Sequence, residues 1–194
     1  MNLVIASNNT HKIQEIQPIL DNSFSLMSLS EIGCADELPE EQETLEGNAS
    51  QKAWYIYNKF GYNCFADDTG LEIEALGGEP GVYSARYAGD GKDADANIDK
   101  VLDKLHKINN RKARFRTVIS LVLNGIEYSF EGIVDGKILT ERQGTGGFGY
   151  DPIFQPDESD RSFAMMSISD KNRISHRARA VIKLAEFLKQ HESA

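Results

Sequence analysis

Apolar residues occur along the chain in two patterns, short continuous runs and repeats every three or four positions, and these patterns predict an order of strands and helices. Residues 2–6 form a short apolar run typical of a buried strand, and residues 24–29 predict a second strand. Apolar residues recur every three or four positions in residues 45–60, 98–108 and 178–188. Each of these stretches predicts a helix with one buried face.

Two long strands in the middle of the chain are predicted to anchor a sheet. Residues 112–123 and 126–139 flank Asn124-Gly125, a dipeptide typical of a two-residue hairpin turn. Strands and helices alternate from end to end, without a repeat or a linker. We therefore expect an α/β fold and a single domain of residues 1–194.

Two adjacent carboxylates stand where an apolar run gives way to a polar turn. Asp67 and Asp68 close the run that begins at Cys64, and Thr69 and Gly70 follow them. Carboxylates at the end of a strand, beside a glycine that lets backbone approach a ligand, are suited to hold hard cations and phosphates. A polar turn in an ordinary hairpin explains the same residues, and this stretch alone does not decide between the two.

A polar loop, Ser7 to Lys12, lies between the first strand and the first predicted helix. Its first four residues are all good N-caps, and a helix start offers N–H groups and positive dipole character to a phosphate. Lys12 would add a positive charge. A plain capped helix explains the loop as well, because the glycines of a Walker A motif are absent.

Residues 144–149 match the GxGxxG pattern of dinucleotide-binding folds. Such a fold needs a helix directly after the glycines, and Pro152 and Pro156 exclude a helix interior there. The sequence therefore disfavours a dinucleotide-dependent oxidoreductase. The glycines instead favour a loop that lies close to a flat ligand, with Phe148 and Tyr150 as stacking faces.

Two charged segments add further candidates. Residues 36–46 are acidic, and such a segment is either solvated surface or a source of metal ligands. Basic residues gather where the last helix is predicted to start, which favours an anion or polar-base site over a solvated face. They are Lys171, Arg173, His176, Arg177 and Arg179.

Composition limits the partners and the compartment. The net charge of −9 argues against nucleic acid or an anionic membrane as a partner. The two cysteines form no CxxC pair, which argues against a disulfide framework or structural zinc. This cysteine usage fits a reducing compartment, so we expect a cytoplasmic protein. We also find no secretory signal and no stretch long enough to span a bilayer.

Longer motifs follow one another in a fixed order: Ser7–Lys12, Asn48–Ala53, Ala66–Leu71, Leu76–Tyr87, Gly144–Phe154 and Ser175–Ala180. In these motifs the chain resembles the inosine triphosphate pyrophosphatase family, also called dITP/XTP pyrophosphatases. The resemblance implies an elongated mixed β-sheet with flanking helices that form two lobes around a nucleotide cleft. It also implies a homodimer and Mg²⁺-dependent hydrolysis of ITP, dITP and XTP to the monophosphate and pyrophosphate, by water attack at the α-phosphate.

The resemblance also assigns residues. It makes Asp68 the catalytic residue and a metal ligand, and it places a second metal ligand at Glu40, with Glu41 and Glu43 as alternatives. The implied substrate contacts are Ser7, Asn8, Asn9, Thr10, His11, Lys12, Lys52, Thr69, Phe148, Gly149, Tyr150, Asp151, Lys171, His176 and Arg177.

The chemistry of the assigned residues fits this reaction. Lys12, Lys52 and Lys171 are suited to hold the phosphate tail, and donors from His176 and Arg177 would favour a purine with a 6-keto group. Two other functions stay open. One is a related pyrophosphatase for pyrimidine or modified nucleotides, and the other is a non-catalytic nucleotide-binding regulator.

Overall fold

The computed structural model describes residues 2–20 and 24–192, and Met1, residues 21–23 and residues 193–194 lie outside this description. The chain divides into two compact units. Unit 1 consists of Met1–Asp68, Thr117–Gly132 and Arg177–Ala194, and unit 2 consists of Thr69–Arg116 and Ile133–His176.

Strands and helices alternate as the apolar pattern predicts. The strands are β1 (Asn2–Ile5), β2 (Ser25–Met27), β3 (Cys64–Ile73), β4 (Pro80–Gly81), β5 (Lys112–Leu123), β6 (Ile126–Ile138) and β7 (Phe154–Pro156). The α-helices are α1 (Thr10–Ile16), α2 (Leu45–Phe60), α3 (Ala94–Lys104), α4 (Ile168–Ile174) and α5 (His176–Glu192). Short 3₁₀ turns cover Glu74–Leu76, Ser84–Arg86, Asp151–Ile153 and Phe163–Met165.

The described strands form one mixed sheet. Its order is β2-β1-β3-β5-β6-β7, and β4 pairs with β3. Strand β1 is parallel to β2 and β3, whereas β4 is antiparallel to β3 and β7 is antiparallel to β6. The predicted mixed α/β fold is therefore confirmed. The hairpin turn is also confirmed, because Asn124 and Gly125 both have positive φ angles, of 52° and 79°.

Unit 1 has apolar clusters that match the predicted helical stripes. In one cluster Val181 and Leu184 of α5 are buried with Phe65 of β3 and Ile119 of β5. In another, the α2 residues Ala53 and Ile56 are buried with Cys64 and Ala66 of β3. Because β3 is a strand, its alternate residues point to opposite faces, so the even-numbered residues face α2 and the odd-numbered residue Phe65 faces α5.

Unit 2 has an aromatic core. The ring of Phe115 lies 4.7 Å from that of Phe154 in an edge-on arrangement and stacks on His176 at 4.6 Å. Phe163 is also fully buried in this cluster, with Val134 of β6. These rings hold Phe163 and His176, the first residue of α5, against Phe115 of β5.

Two sequence-based predictions about elements are wrong. The strand that begins at Cys64 does not end at the carboxylates but runs on to Ile73. Gly70 makes this possible: β4 lies so close that a Cβ atom there would stand 2.7 Å from the carbonyl oxygen of Gly81. The basic residues do not share one helix start, because Ser175 has an extended conformation and separates α4 from α5.

Candidate active site

The continuity of β3 decides where its two carboxylates point. Successive side chains of a strand lie on opposite faces, so Asp67 follows Phe65 toward α1 and α5, while Asp68 follows Ala66 toward α2. The contacts agree with this geometry. Asp67 contacts cations from α1 and α5, whereas Asp68 contacts side chains of α2.

Asp67 lies in a buried ion-pair network. Its Oδ2 atom is 2.9 Å from Nζ of Lys12 and 3.4 Å from Nε of Arg177. Arg177 also pairs through Nη1 with Glu15 of α1, and its side chain is only 1% exposed. Burial alone would raise the pKa of the Asp67 carboxyl, but Lys12 and Arg177 hold this pKa well below its usual range.

Asp68 is more accessible and has different partners. Its side chain is 12% exposed, against 1% for Asp67. Asn48 donates from Nδ2 to Oδ2 of Asp68 over 3.2 Å, and Nζ of Lys52 lies 3.5 Å from Oδ1. Burial raises the pKa of the Asp68 carboxyl above its usual value, and the nearby Lys52 ammonium opposes that shift.

Lys52 joins the acidic segment to β3. Its ammonium donates to Oε1 of Glu40 and to the backbone carbonyl of Asp67, both over 2.8 Å. Burial would lower the pKa of Lys52, but Asp68 and Glu40 together raise it. The structure thus brings Glu40 and Asp68, the two residues predicted as metal ligands, to one ammonium group.

The polar loop before α1 is a capped helix start. Asn9 is the N-cap, and its Oδ1 atom accepts from the backbone N–H groups of His11 and Lys12 over 3.0 and 3.2 Å. Ser7 in turn accepts from the N–H of Asn9. Two of the amides that were expected to face a phosphate are therefore bonded to Asn9. Lys12 supplies the cationic side chain of this loop, and it lies against Asp67.

A second group of predicted site residues lies within unit 2. Asp151 is buried and accepts at Oδ2 from Nζ of Lys171 over 2.5 Å and from the N–H of Phe148 over 3.0 Å. The Lys171 ammonium also lies over the rings of Phe148 and Phe163, at 5.1 and 5.2 Å. The loop of residues 148–151 is thus fixed by an ion pair to α4. Lys171, which was expected to hold phosphate, lies beside the predicted base loop.

The glycines of this loop approach protein atoms. A Cβ atom at Gly144 would stand 2.7 Å from the carbonyl oxygen of Ala164, and one at Gly146 would stand 2.9 Å from it. A Cβ atom at Gly147 would overlap Oδ2 of Asp151. Close packing of the chain on itself therefore accounts for two of the three glycines of the GxGxxG pattern, Gly144 and Gly146, and for Gly147 at one of its variable positions.

Tyr150 does not offer the expected stacking face. Its side chain is buried in the aromatic core of unit 2, at 5% exposure, and its hydroxyl donates to the carbonyl of Ser84 over 2.7 Å. The Ser84 hydroxyl accepts from the N–H of Leu71 in β3. Tyr150 thus anchors the loop, and the stacking expectation rests on the half-buried Phe148 alone. Gly149, with a φ of 57°, lies between them with open space around its Cα.

The remaining predicted residues fall at unit boundaries in the sequence. Thr69 follows Asp68 in β3, and His176 precedes Arg177 at the start of α5. His176 is buried and stacks on Phe115 with an angle of 14° between the rings. Its ring is therefore held in one plane by the core of unit 2.

Comparisons with known proteins identify the family of the chain. The Ham1 family model matches residues 3–187. The chain belongs to the Ham1 family. It is similar to a dITP/XTP pyrophosphatase of Flavobacterium johnsoniae, with 53% identity over 97% of this chain and 98% of that protein.

One further protein and one solved structure are similar to almost the whole chain. A dITP/XTP pyrophosphatase of Bacillus subtilis is 44% identical over 95% of this chain and 96% of that protein. The solved structure of the Staphylococcus aureus Ham1 protein superposes with a TM-score of 0.90 at 40% identity, over 98% of this chain and 100% of that one. The family resemblance drawn from the motifs is confirmed.

The donor set of this Ham1-family chain fits a hard divalent cation. Within residues 2–20 and 24–192, no three or more His, Cys, Asp or Glu side chains form a cluster that could hold a metal ion. Mg²⁺, however, needs only one or two carboxylates, because substrate phosphates and water complete its coordination. Asp68 and Glu40 both contact the ammonium group of Lys52, so these two carboxylates fit a divalent metal whose coordination is completed by water and, when substrate is present, by phosphate oxygens.

Sequence reasoning missed two residues of this site. Glu15 pairs with Arg177, and its position three residues after Lys12 on α1 was a usable signal, because such positions share a helix face. Asn48 contacts Asp68, and the sequence showed only that it lies one turn before Lys52. Neither signal identified a partner on another element.

Proposed function

We propose that this chain hydrolyses nonstandard purine nucleoside triphosphates, such as ITP, dITP and XTP, to the monophosphate and pyrophosphate. The similar proteins of Flavobacterium johnsoniae and Bacillus subtilis are named dITP/XTP pyrophosphatases, and the similarity covers nearly the full length of each. An enzyme of this class cleaves the bond between the α- and β-phosphates.

The observation that carries the proposal is the charge of the ion-pair network in unit 1. Three cations, Lys12, Lys52 and Arg177, contact four carboxylates, and these side chains together carry one net negative charge. The four carboxylates are Glu15, Glu40, Asp67 and Asp68. Such a network repels a free triphosphate, whereas one divalent cation on Asp68 and Glu40 would make it positive. This charge favours a metal-dependent phosphate site.

The residues of unit 1 divide the work at the phosphates. Mg²⁺, when bound, would neutralise phosphate oxygens and lower the pKa of a coordinated water. Asp68 would orient a water toward the α-phosphorus, since its carboxylate is more exposed than that of the neighbouring Asp67. The ammonium groups of Lys12 and Lys52 would stabilise the charge that develops on the leaving pyrophosphate.

The loop of residues 148–151 is the base loop in this proposal. Phe148 presents the stacking surface, and the ion pair of Lys171 with Asp151 supports a role for Lys171 at the base rather than at the phosphates. A 6-keto oxygen accepts hydrogen bonds from fixed donors, for which we propose Arg177 and His176. Adenine would place an amino group against these donors, which costs ~1–3 kcal/mol.

Three further points belong to the same proposal. We expect a homodimer, as the family resemblance implies, and a cytoplasmic protein, as the cysteine usage suggests. None of the described helices combines the length and apolar character that a membrane span needs. Light scattering of the purified chain during size-exclusion chromatography would test the dimer.

A substrate panel tests the proposed function. The chain is incubated with Mg²⁺ and ITP, XTP, dITP, ATP, GTP, UTP or dTTP, and the products are separated by anion exchange. We expect pyrophosphate and the monophosphate from ITP, dITP and XTP at much higher kcat/KM than from the others. Preference for UTP or dTTP would support a pyrimidine enzyme instead, and nucleotide binding without pyrophosphate release would support a regulator.

A further inference from the structure

A stripe of polar side chains along α2 holds the acidic segment that carries Glu40. The segment runs antiparallel to the helix: Gln42 and Glu41 donate backbone N–H groups to Asn48 and Gln51 over 2.9 and 3.1 Å. Further along the helix, Lys52 donates a hydrogen bond to Glu40, and Tyr55 and Lys59 both donate to Asp36. Residues three or four apart share a helix face, so these side chains form one continuous stripe.

Asn48 differs from the rest of this stripe because both ends of its carboxamide are engaged. Oδ1 accepts from the N–H of Gln42, and Nδ2 donates to Oδ2 of Asp68. A backbone N–H can only donate and a carboxylate only accepts, so these two partners fix which end of the amide faces each of them. The side chain is buried at 2% exposure, which leaves it little freedom to rotate.

We propose that Asn48 is a positioning residue that couples the acidic segment to Asp68 and so aligns Glu40 and Asp68 for one divalent cation. The inference rests on the proposed metal-dependent function. Asn48 does not contact the metal itself: its amide nitrogen holds one oxygen of Asp68, and its amide oxygen holds the backbone two residues after Glu40. Groups that orient metal ligands in this way typically change metal affinity or activity by about 10- to 100-fold when they are removed.

No other residue type is expected to perform both tasks at this position. Alanine loses both hydrogen bonds, and aspartate keeps an acceptor for Gln42 but sets a second carboxylate against Asp68. Gln51 provides a matched control. It lies on the same helix face and accepts from the neighbouring amide of the same segment, and this bond joins it to Glu41 rather than to β3.

The test compares wild type, Asn48→Ala and Gln51→Ala by two measurements that do not need turnover. The first is hydrogen exchange of the peptide that covers residues 36–44, followed by mass spectrometry. The second is a titration with Mn²⁺ as a probe for the divalent site, read by electron paramagnetic resonance of the free ion. If Asn48→Ala does not fold, Asn48→Ser replaces it, since a serine hydroxyl is too short to make both bonds.

We expect faster exchange in residues 36–44 in both variants, because each loses one anchor of the segment. The Mn²⁺ dissociation constant should rise about tenfold or more in Asn48→Ala and less than twofold in Gln51→Ala. Equal Mn²⁺ affinities in the two variants would reduce Asn48 to an ordinary anchor and overturn the proposal. Absence of Mn²⁺ binding by the wild type would overturn it as well.

A result against the proposed function can be told apart from a result against the role of Asn48. A wild type that binds Mn²⁺ but releases no pyrophosphate from ITP would contradict the pyrophosphatase activity. The two measurements above would then still decide the role of Asn48. In an active wild type, we expect Asn48→Ala to lower kcat for ITP at least tenfold while KM changes less than threefold.

Discussion

Asp67 and Asp68 are adjacent in sequence, and the structure gives them different partners. Lys12 and Arg177 lie against Asp67, whereas Asn48 and Lys52 lie against Asp68. The cause is the side-chain alternation of an unbroken strand. Asp67, which is buried between two cations, is therefore suited to stabilise the fold. Asp68, which is partly exposed and lies near the acidic segment, is suited to bind a metal and act in catalysis.

Exchanging each aspartate for asparagine separates these two roles. Asp68→Asn should keep the fold and lower kcat for ITP by about 100-fold or more, because it removes a metal ligand and any base. Asp67→Asn should lower the free energy of unfolding by ~3–5 kcal/mol, since it leaves the buried Arg177 with Glu15 as its remaining anionic partner and sets Lys12 beside an uncharged amide. Urea unfolding at pH 7 and steady-state kinetics measure both effects. A stable Asp67→Asn or a fully active Asp68→Asn would contradict the assignment.

Arg177 is proposed to select the base, and its buried ion pairs determine which substitution tests that role. Arg177→Ala would leave Glu15 and Asp67 without their shared cation, so its effect would mix stability with selectivity. Arg177→Lys keeps the charge and loses the planar fork of donors. We expect a lower ITP/ATP ratio of kcat/KM in this variant. If the ratio is unchanged while both rates fall alike, base selection rests on residues 148–151 instead.

At the scale of elements, the sequence predicted the parts whose signals are local. The apolar stripe of α2 and Gly61 after it gave the helix and its end, and Asn124-Gly125 gave the hairpin. The end of β3 was misplaced, because Asp-Asp-Thr-Gly is typical of a turn and only the approach of β4 explains Gly70. The separate helix α4, which carries Lys171 and Arg173, was missed, because basic residues continue across Ser175 without a proline or glycine.

The loop before residue 151 gives a prediction at this scale. Gly147 and Gly149 both have positive φ angles, of 69° and 57°, so alanine is strained at either position. Only at Gly147 would the new Cβ atom also overlap Asp151, which holds Lys171 and the N–H of Phe148.

Gly147→Ala should therefore lower the free energy of unfolding clearly more than Gly149→Ala does. Urea unfolding of the two variants beside the wild type measures the difference. Equal losses would mean that the loop moves away from Asp151 at little cost, and the ion pair would not be the anchor of the loop.

At the scale of the whole molecule, the acidic balance and the local charges have to be considered together. A net charge of −9 argues against polyanionic partners, yet the proposed substrate is itself an anion. The ion-pair network in unit 1 reconciles the two. Its carboxylates outnumber its cations and repel a free anion, whereas a bound divalent metal would make the network positive and favourable to a triphosphate. Composition predicted the charge, but the pairing of Glu15 with Arg177 required the fold, since 162 positions separate them in sequence.

The bond that is cleaved distinguishes the proposed activity from other triphosphate hydrolysis, and isotope transfer from water identifies it. ITP is hydrolysed by the wild type with Mg²⁺ in H₂¹⁸O, and the products are analysed by mass spectrometry and ³¹P NMR. We predict one ¹⁸O atom in the phosphate group of inosine monophosphate and none in pyrophosphate, because water attacks the α-phosphorus and pyrophosphate leaves. Label in pyrophosphate, or release of labelled orthophosphate with inosine diphosphate, would contradict the account.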